Sequence, residues 1–353
     1  MLVTLTSAHA QPRIGAWLTR QGLGARPMLG GRGLLLSDPW IPHTVREALL
    51  ADPEVESLED TTEYPRRVMR QDDRAVAFDL DLGRAPVIAG PCSIESREMA
   101  FQAAEFVKSL GLNWVRGGTD KTRTRPGDFQ GAGLQAAQWL KEAADAHGLR
   151  CVTEVTDSPE AEAIGELVDL IQVGARHMHS PRHLQRLGRM GKPVLLKRGL
   201  VATPEEWLWA AEYLLEAGAP SVLFCERGIR TASPLKRFTL DLGTVPFIRA
   251  MTHSPILVDP SHAAGTSPYV APLAKAAIAA GAHGVIVECH PDPARACSDK
   301  LQALDYPAMT ALVDDLARLW ALTQDAPPRA LPPLGGGATP GDQAGRLESA
   351  GAR

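Results

Sequence analysis

The chain has 353 residues, a formal net charge of −4 and 44% hydrophobic residues. This length exceeds one average domain, and the hydrophobic content is sufficient for a large core. The negative charge argues against a general affinity for nucleic acid or for anionic membranes, so an anion site has to come from local clusters of lysine and arginine. We expect neither a membrane span nor a signal peptide, because no apolar run is long enough and the N-terminus lacks a basic region.

The first part of the chain, residues 1–65, predicts a small module of its own. Residues 2–5 have the apolar pattern of a short strand, and residues 11–21 and 43–51 carry apolar side chains at helical spacing. The order strand, helix, strand, strand, helix, strand is typical of a ferredoxin-like α+β domain. The charged, proline-containing stretch that follows predicts a linker with a lead-in strand over residues 66–84.

From residue 85 the chain alternates short apolar runs with helical segments. The predicted strands are residues 87–89, 114–116, 151–155, 170–173, 194–196, 222–224, 256–258 and 285–287. The helix over 203–218 has the clearest start, because Thr203 and Glu206 predict a capping box. Eight such units predict an α/β fold, a (β/α)8 TIM barrel over residues 85–323. A doubly wound open sheet would usually need a glycine-rich loop after its first strand, and the sequence lacks one.

The end of the chain, residues 324–353, has a different composition. It is rich in proline, glycine and alanine and shows little periodicity, so we predict a disordered C-terminal tail. The sequence therefore predicts four regions, which are the small module, the linker, the barrel and the tail.

The ends of the predicted strands carry a high concentration of basic residues. In a (β/α)8 barrel the side chains that perform chemistry lie at the C-terminal ends of the strands. The basic residues at or beyond these ends are Arg116, Lys121, Arg123, Arg125, Arg176, Lys197, Arg198, Arg227 and Arg230. Arginine binds phosphate or carboxylate oxygens in pairs, and lysine adds a movable charge. We predict a site for one or two ligands with several anionic groups, although single residues could instead be solvated or paired with acids such as Glu226.

A second group at the strand ends combines one thiol, one imidazole and two carboxylates. Its members are Cys92, His262, Glu288 and Asp299. This mixture suits a borderline divalent ion such as Mn, Fe, Co or Zn and does not select among them. Taken alone, Cys92 is more simply interpreted as a buried thiol. The cysteines inside or at the ends of apolar runs are predicted to pack in the core, namely Cys151, Cys225 and Cys289.

Several segments of the barrel carry a family resemblance. In chain order they include VIAGPCSIES, KTRTRP, IQVGAR, KPVLLKRG, CERGIRT, ILVDPSHAAG and VIVECHPDPARACSD. As a set, over about residues 87–322, they resemble type I 3-deoxy-D-arabino-heptulosonate 7-phosphate (DAHP) synthases, in the branch with an N-terminal ferredoxin-like domain. The resemblance implies a condensation of phosphoenolpyruvate with erythrose 4-phosphate to DAHP and phosphate, the first step of the shikimate pathway.

The resemblance also implies roles for individual residues. It matches one divalent metal ion to Cys92, His262, Glu288 and Asp299. The matching phosphoenolpyruvate contacts are Arg116, Lys121, Ala175, Arg176, Lys197 and Arg227. On the side of the aldose phosphate lie Arg123, Thr124, Arg125 and Asp259. The expected catalytic residues are Lys121, as the proton donor, with Asp259, His262 and Cys92.

Some positions depart from the usual pattern of the family. They are Asp120, Thr122, Arg125 and His177, together with Thr266 and Ser267. All of them belong to the aldose-phosphate side or to loops around it. Two alternatives therefore stay open. One is the same chemistry on another aldose phosphate, as in 3-deoxy-D-manno-octulosonate 8-phosphate synthase or a specialised-metabolism variant, and the other is a non-catalytic sensor or partner subunit that binds phosphoenolpyruvate.

Expectations about partners and location complete the sequence-based prediction. The resemblance implies a homodimer or homotetramer, and an N-terminal domain that can bind an aromatic amino acid; a role in assembly or stability alone is equally open. Five widely spaced cysteines in a chain without an export signal predict reduced thiols and a cytoplasmic protein.

Overall fold

The structure is a computed structural model that describes residues 1–28, 31–37, 40–60, 65, 67–68, 80–121, 125–232 and 237–324. The chain divides into two compact units, one containing Met1–Tyr64 and the other Pro65–Ala326. Most of the predicted linker and lead-in strand, and the predicted tail apart from Gln324, lie outside the described residues. The extents predicted for the four regions stay predictions.

The N-terminal unit is a four-stranded antiparallel sheet with two helices. Its elements are β1 Leu2–Leu5, α1 Ala10–Arg20, β2 Ala25–Pro27, β3 Gly33–Leu36, α2 His43–Leu50 and β4 Val55–Glu59. The sheet order β2-β3-β1-β4 confirms the predicted ferredoxin-like fold. Helix α1 buries Ile14, Trp17 and Leu18, the residues whose helical spacing marked it in the sequence. Strand β2 has no apolar pattern in its three residues, ARP, that could mark it in the sequence.

The second unit is a closed barrel of eight parallel strands, as predicted. The strands are β5 Val87–Gly90, β6 Trp114–Arg116, β7 Arg150–Glu154, β8 Leu170–Val173, β9 Val194–Lys197, β10 Val222–Glu226, β11 Ile256–Val258 and β12 Gly284–Glu288. They follow one another around the barrel in chain order, and β12 closes onto β5. Each strand gives an apolar side chain to a buried cluster in this barrel, in strand order Ile88, Trp114, Val152, Leu170, Leu195, Leu223, Leu257 and Ile286, and β10 adds Cys225.

Helices surround the barrel. They are α3 Arg97–Ser109, α4 Gly133–Ala146, α5 Ala161–Leu167, α6 Pro181–Gly188, α7 Pro204–Ala217, α8 Thr244–Met251, α9 Pro260–Ala264, α10 Val270–Ala279 and α11 Tyr306–Gln324. The capping box predicted for α7 is present, since the Thr203 hydroxyl accepts from the Glu206 amide and the Glu206 carboxylate accepts from the Thr203 amide. Helices α6, α8 and α9, which have five to eight residues, were not predicted individually. None of the described helices is both long and apolar enough for a membrane span.

Candidate active site

The side chains that point into the barrel at the C-terminal ends of the strands form the floor of the site. Successive side chains of a strand point to opposite faces, so the residue two positions beyond an inward apolar side chain also points inward. In strand order, starting from β6, those residues are Arg116, Glu154, Gln172, Lys197, Cys225, Asp259 and Glu288. In β10 the apolar cluster extends to Cys225, and Arg227 follows two positions later. The first apolar layer of the barrel is therefore followed by a mostly charged layer at the C-terminal ends of the strands. Such an arrangement concentrates charge in a buried space, where electrostatic interactions are strong.

The predicted thiol, imidazole and carboxylates come together at this end of the barrel. One possible ligand atom from each of Cys92, His262, Glu288 and Asp299 lies within 4.8 Å of all the others. The Cys92 Sγ lies 3.0 Å from Asp299 Oδ2, and His262 Nε2 lies 3.5 Å from Glu288 Oε1 and 3.7 Å from Asp299 Oδ2. Donor atoms that share one ion at bond lengths of about 2.0–2.3 Å are separated by roughly 3.3–3.8 Å. The donor set and its spacing therefore fit a single divalent cation.

Neighbouring groups hold Glu288 in this arrangement. Its Oε1 accepts from Arg116 Nη1 over 3.0 Å, and its Oε2 accepts from Gln302 Nε2 over 2.7 Å. Its backbone amide donates to Ser261 Oγ over 3.0 Å. Because Glu288 is buried, these contacts satisfy a carboxylate that would otherwise be costly to remove from water.

His262 is oriented by the residue that begins helix α9. Asp259 Oδ1 caps the helix by accepting from the His262 amide over 2.9 Å, and its Oδ2 accepts from His262 Nδ1 over 2.7 Å. The same Oδ2 accepts from Lys197 Nζ over 2.5 Å. Although burial opposes ionisation, His262 and Lys197 hold the pKa of Asp259 well below its ordinary range. With Nδ1 donating, the Nε2 of His262 is left as the electron-pair donor toward Glu288 and Asp299.

The Cys92 thiol lies in an environment that disfavours its charged form. Burial, with the nearby Glu288 carboxylate, raises its pKa to about 12, and the Lys121 ammonium opposes this only in part. Lys121 Nζ lies 3.2 Å from Cys92 Sγ and donates to the Cys92 carbonyl oxygen. A divalent cation bound by this group would favour the thiolate, as metal coordination does elsewhere.

A polar cavity of about 200 Å³ opens beside the four donors. Six of the predicted site residues line it, namely Lys121, Ala175, Arg176, Arg227, His262 and Asp299. The cavity and the donor group thus share His262 and Asp299. A bound anion would therefore lie next to a bound cation.

The other predicted site residues lie elsewhere. Arg116, Lys197 and Asp259 are buried and engaged with protein partners, and they are not among the described residues that line the cavity. Arg125 is exposed and does not belong to that lining either. The aldose-side residues Arg123 and Thr124 lie outside the described residues.

Arg198, one of the cations at the strand ends, is not among the described residues that line the cavity. Its Nη1 donates to Glu226 Oε2 over 2.9 Å and to Asp241 Oδ2 over 2.8 Å, and its Nε donates to the Ala202 carbonyl. Lys197 and Arg198 are consecutive, so they point to opposite faces of the strand end. The pairing with Glu226 that the sequence left open is present, and Arg198 joins the barrel to the start of α8.

Several residues around the cavity were not predicted. Glu154 lines it, and burial alone would raise the pKa of this carboxyl, but His177, Lys121 and Lys197 lower it to about 2. Its position two residues after Val152 is a signal that the sequence offered. Arg237 and Phe238 also line the cavity, but they lie on a loop far beyond the end of β10, where no periodicity could mark them.

Comparison with known proteins decides which barrel family this is. A sequence model of the DAHP synthetase I family matches residues 81–325 of the chain. The chain belongs to the DAHP synthetase I family. The matched segment contains the whole barrel and every residue of the four-donor group. The family resemblance stated from the sequence motifs is confirmed, and the chain is an enzyme of this family.

Individual relatives agree with this membership. Phospho-2-dehydro-3-deoxyheptonate aldolase from Thermotoga maritima is 47% identical over 237 residues, which are 67% of this chain and 70% of that protein. A 2-dehydro-3-deoxyphosphooctonate aldolase from Magnetococcus marinus is 30% identical over 258 residues, covering 68% of this chain and 89% of that protein. Among these relatives, the heptonate enzyme is the more similar one.

Solved structures also match both parts of the molecule. A crystal structure of phospho-2-dehydro-3-deoxyheptonate aldolase (DAHP synthase) from Thermotoga maritima has a TM-score of 0.71 at 38% identity, covering 91% of this chain and 97% of that chain. A truncated form of the T. maritima 3-deoxy-D-arabino-heptulosonate 7-phosphate synthase has a TM-score of 0.66 at 42% identity and covers 72% of this chain. The longer match confirms a family barrel accompanied by a small N-terminal domain.

Proposed function

We propose that this site condenses phosphoenolpyruvate with erythrose 4-phosphate to give DAHP and inorganic phosphate. The observation that carries the proposal is the sharing of His262 and Asp299 between a four-donor group and a cavity lined by Lys121, Arg176 and Arg227. The reaction needs a group that polarises an aldehyde oxygen and cations that hold two phosphorylated substrates. The proposed site supplies both within one small space.

The residues that would hold a divalent cation are Cys92, His262, Glu288 and Asp299. When bound there, the cation supplies Lewis-acid polarisation of the aldehyde of the aldose phosphate. Asp259 keeps the His262 ring in the tautomer that presents Nε2, and Gln302 and Arg116 hold the Glu288 carboxylate. Manganese, iron, cobalt and zinc all suit such a mixed donor set.

Phosphoenolpyruvate occupies the basic side of the cavity. Arg176 and Arg227 line this cavity and bind the phosphate and carboxylate oxygens, with Ala175 beside them. Arg116 and Lys197 lie beneath as buried cations whose charges favour an anion above them. Binding in this pose holds C3 of phosphoenolpyruvate against the aldehyde carbon and removes the entropic cost of bringing two substrates together.

Lys121 is the proton donor in this proposal. As the carbon–carbon bond forms, the aldehyde oxygen gains negative charge and takes a proton from Nζ of Lys121. The ammonium lines the cavity and already lies 3.2 Å from Cys92 Sγ, so it is adjacent to the donor group. Water then adds to C2 of the phosphoenolpyruvate part and returns a proton to the neutral amine of Lys121. The C2–O bond to phosphate breaks as C2 becomes a carbonyl, and phosphate leaves with the remaining proton.

The aldose phosphate is expected at the outer end of the cavity. Arg125 is exposed and available to a phosphate there, and Arg123 and Thr124 are assigned to the same group by the family pattern. Asp259 contributes to this end only through His262 and Lys197, because both of its carboxylate oxygens are already engaged. It is therefore a positioning residue in this proposal.

The proposal is tested by measuring phosphate release from phosphoenolpyruvate with each candidate aldose phosphate. Full-length protein is stripped with a chelator, reloaded with single divalent ions and assayed with erythrose 4-phosphate and with arabinose 5-phosphate. We expect activity with erythrose 4-phosphate that depends on the added ion. Higher kcat/KM with arabinose 5-phosphate would support the octulosonate alternative, and phosphoenolpyruvate binding without turnover would support a sensor.

The four-donor group is tested by a pair of cysteine variants. Cys92→Ser is expected to weaken the binding of added Zn²⁺ or Co²⁺ in competition with a chromophoric chelator, and to lower turnover, because serine is a poor ligand for a borderline ion. Cys297→Ser makes the same chemical change at an exposed thiol outside the group and serves as the control. Equal ion affinity in both variants would contradict the assignment.

Three finer expectations complete the proposal. The protein works in the cytoplasm, assembles as a homodimer or homotetramer, and binds an aromatic amino acid through its N-terminal module. Sedimentation of the full-length chain tests the assembly. Assays with and without tyrosine or phenylalanine test the effector, and unchanged rates at millimolar effector would leave assembly or stability as the role of the module.

A further inference from the structure

Arg227 is a buried cation without an acidic partner in the described part of the chain. The residue is 5% exposed, and no described carboxylate lies within ion-pair distance of its guanidinium. Its Nη1 donates a long hydrogen bond to the Gly228 carbonyl oxygen, at 3.4 Å. A buried arginine is normally paired, so an unpaired one that lines a cavity is prepared to receive an anion.

The ring of Phe238 takes the place of an acidic partner. The central carbon of the Arg227 guanidinium lies 4.3 Å from the centroid of the Phe238 ring, and that of Arg237 lies 5.4 Å from the same centroid. Both distances are within the range of cation–π attraction. All three residues line the cavity. The ring therefore contacts two cations without neutralising either of them, as a carboxylate would.

The backbone fixes the position of the ring. Ile229 and Thr239 exchange backbone hydrogen bonds of 2.9 Å in each direction, which pairs the segment after Arg227 with the segment after Phe238. The Phe238 amide donates to the carbonyl oxygen of Ala263, in the helix that carries His262. Gly228 has a φ of +90°, and a Cβ there would lie 2.8 Å from Phe238 Cβ. The phenylalanine is thus packed closely against the backbone next to Arg227.

We propose that Phe238 is a positioning residue that holds the guanidinium of Arg227 toward phosphoenolpyruvate while leaving its charge available to that substrate. The inference rests on the proposed function, because it takes phosphoenolpyruvate as the anion that Arg227 receives. An acidic residue at this position would orient the arginine equally well but would compete with the substrate for it. An aliphatic residue would leave the guanidinium free to rotate, and ordering it would then cost binding free energy.

The test compares ring-containing and ring-free variants of the full-length, metal-loaded enzyme. Phe238→Leu removes the ring but keeps an apolar side chain, and Phe238→Tyr keeps the ring. Phe247→Leu is the control. It makes the same phenylalanine-to-leucine change on α8, at a partly exposed residue outside the cavity lining. Steady-state kinetics give kcat and KM for each substrate, calorimetric titration with phosphoenolpyruvate gives a Kd without turnover, and thermal unfolding gives Tm.

We expect Phe238→Leu to raise both the KM and the Kd for phosphoenolpyruvate about 5- to 30-fold, a range typical of one partly buried cation–π contact. Its kcat at saturation and its KM for the aldose phosphate should change less than twofold. Phe238→Tyr and Phe247→Leu should keep the wild-type Kd. A purely structural role would lower Tm and the active fraction, and so kcat, without raising KM.

Three results would overturn the inference. They are a Kd of Phe238→Leu within twofold of wild type, an equal weakening in Phe238→Tyr, and an equal weakening in Phe247→Leu. If Phe238→Leu does not fold, Phe238→Met is the second ring-free variant and is judged by the same values. The proposed function fails separately if the wild-type enzyme binds phosphoenolpyruvate but releases no phosphate with any aldose phosphate, and the comparison of Kd values still decides the role of Phe238.

Discussion

The imidazole of His262 is locked by Asp259, whose Oδ2 lies 2.7 Å from His262 Nδ1. The same oxygen lies 2.5 Å from Lys197 Nζ, so one buried carboxylate serves a potential metal ligand and a cation of the barrel floor at once. Removing its charge would therefore disturb both His262 and Lys197. The role of this charge can be tested by substitution, because asparagine has the same shape as aspartate but is neutral.

Asp259→Asn is expected to weaken the binding of a divalent ion by about 10- to 100-fold, because an amide no longer selects the His262 tautomer that presents Nε2. Turnover at limiting metal should fall in parallel and recover in part when the metal is in excess. Competition with a chromophoric chelator measures the ion affinity. Asp145→Asn, at an exposed i,i+4 pair with Lys141, is the control, and equal affinities in the two variants would contradict the prediction.

Arg198→Met is expected to destabilise the barrel by about 3–5 kcal/mol, because it leaves the fully buried Glu226 without its partner. Denaturant unfolding followed by tryptophan fluorescence measures the loss. The KM for phosphoenolpyruvate should stay within about twofold of wild type, since Arg198 does not belong to the described lining of the cavity. Arg318→Met, at a pair exposed on α11, should change stability by less than about 0.5 kcal/mol.

A second change at the same place separates pairing from packing. Arg198→Met combined with Glu226→Gln should recover part of the stability lost in the single variant, because no unpaired buried charge then remains. A double variant that is less stable than Arg198→Met would show that the cost came from lost packing instead.

Gly90→Ala is expected to destabilise the barrel by about 3 kcal/mol or more. Gly90 has a φ of +151°, and a Cβ there would lie 2.0 Å from the carbonyl oxygen of Arg116. The backbone would have to move where the chain turns to present Cys92, so the affinity for a divalent ion should fall as well. Gly127→Ala meets nothing within 4 Å and should leave the unfolding midpoint within about 1 °C of wild type.

The stability of the barrel is expected to fall as the pH is lowered from about 6.5 to about 4, and His283 is one cause. Burial and the neighbouring Arg249 lower its pKa from 6.5 to about 4, and its Nδ1 accepts from the Ile256 amide. Because the pKa of the folded state is the lower one, the unfolded chain takes up the proton first. The contribution of His283 to the free energy of unfolding is fully present above pH 6.5. It decreases by roughly 2–3 kcal/mol as the pH falls to 4.

His283→Asn tests this pH dependence. Asparagine offers an oxygen acceptor for the Ile256 amide but does not titrate, so the free energy of unfolding should fall less steeply in this window. Urea unfolding at several pH values between 7 and 4 measures the slope for both proteins. Parallel curves for the wild type and the variant would rule out His283 as a source of the pH dependence.

The amino-acid sequence by itself determined most of the architecture. The apolar runs from residue 87 onwards, separated by helical segments, predicted the eight strands of the barrel to within one or two residues at each end. Local signals were sufficient there because buried parallel strands are continuous apolar runs, and because capping residues such as Thr203 mark helix starts. Short elements such as β2 and α9 escaped prediction, since three to five residues cannot show a period.

The positions of the strand ends in the sequence also predicted that the members of the four-donor group lie close together. Cys92, His262 and Glu288 each follow or end a strand, and parallel strands place all such ends on one face of a barrel. The period of two further explains why Lys197 points into the barrel interior and Arg198 does not. The alternation along the strand therefore separates two cations that are neighbours in the sequence.

Only the tertiary structure decided which of the buried charged side chains are already paired within the protein. Glu226 and Asp241 engage Arg198, and Lys197 shares Asp259 with His262, whereas Arg227 packs against an aromatic ring and forms no ion pair with a described carboxylate. Phe238 reaches Arg227 through a backbone pairing of two segments of one long loop, and such pairing depends on where the loop folds back. Sequence periodicity reports which face a side chain takes, but the partner of a buried charge is set by distances between distant segments.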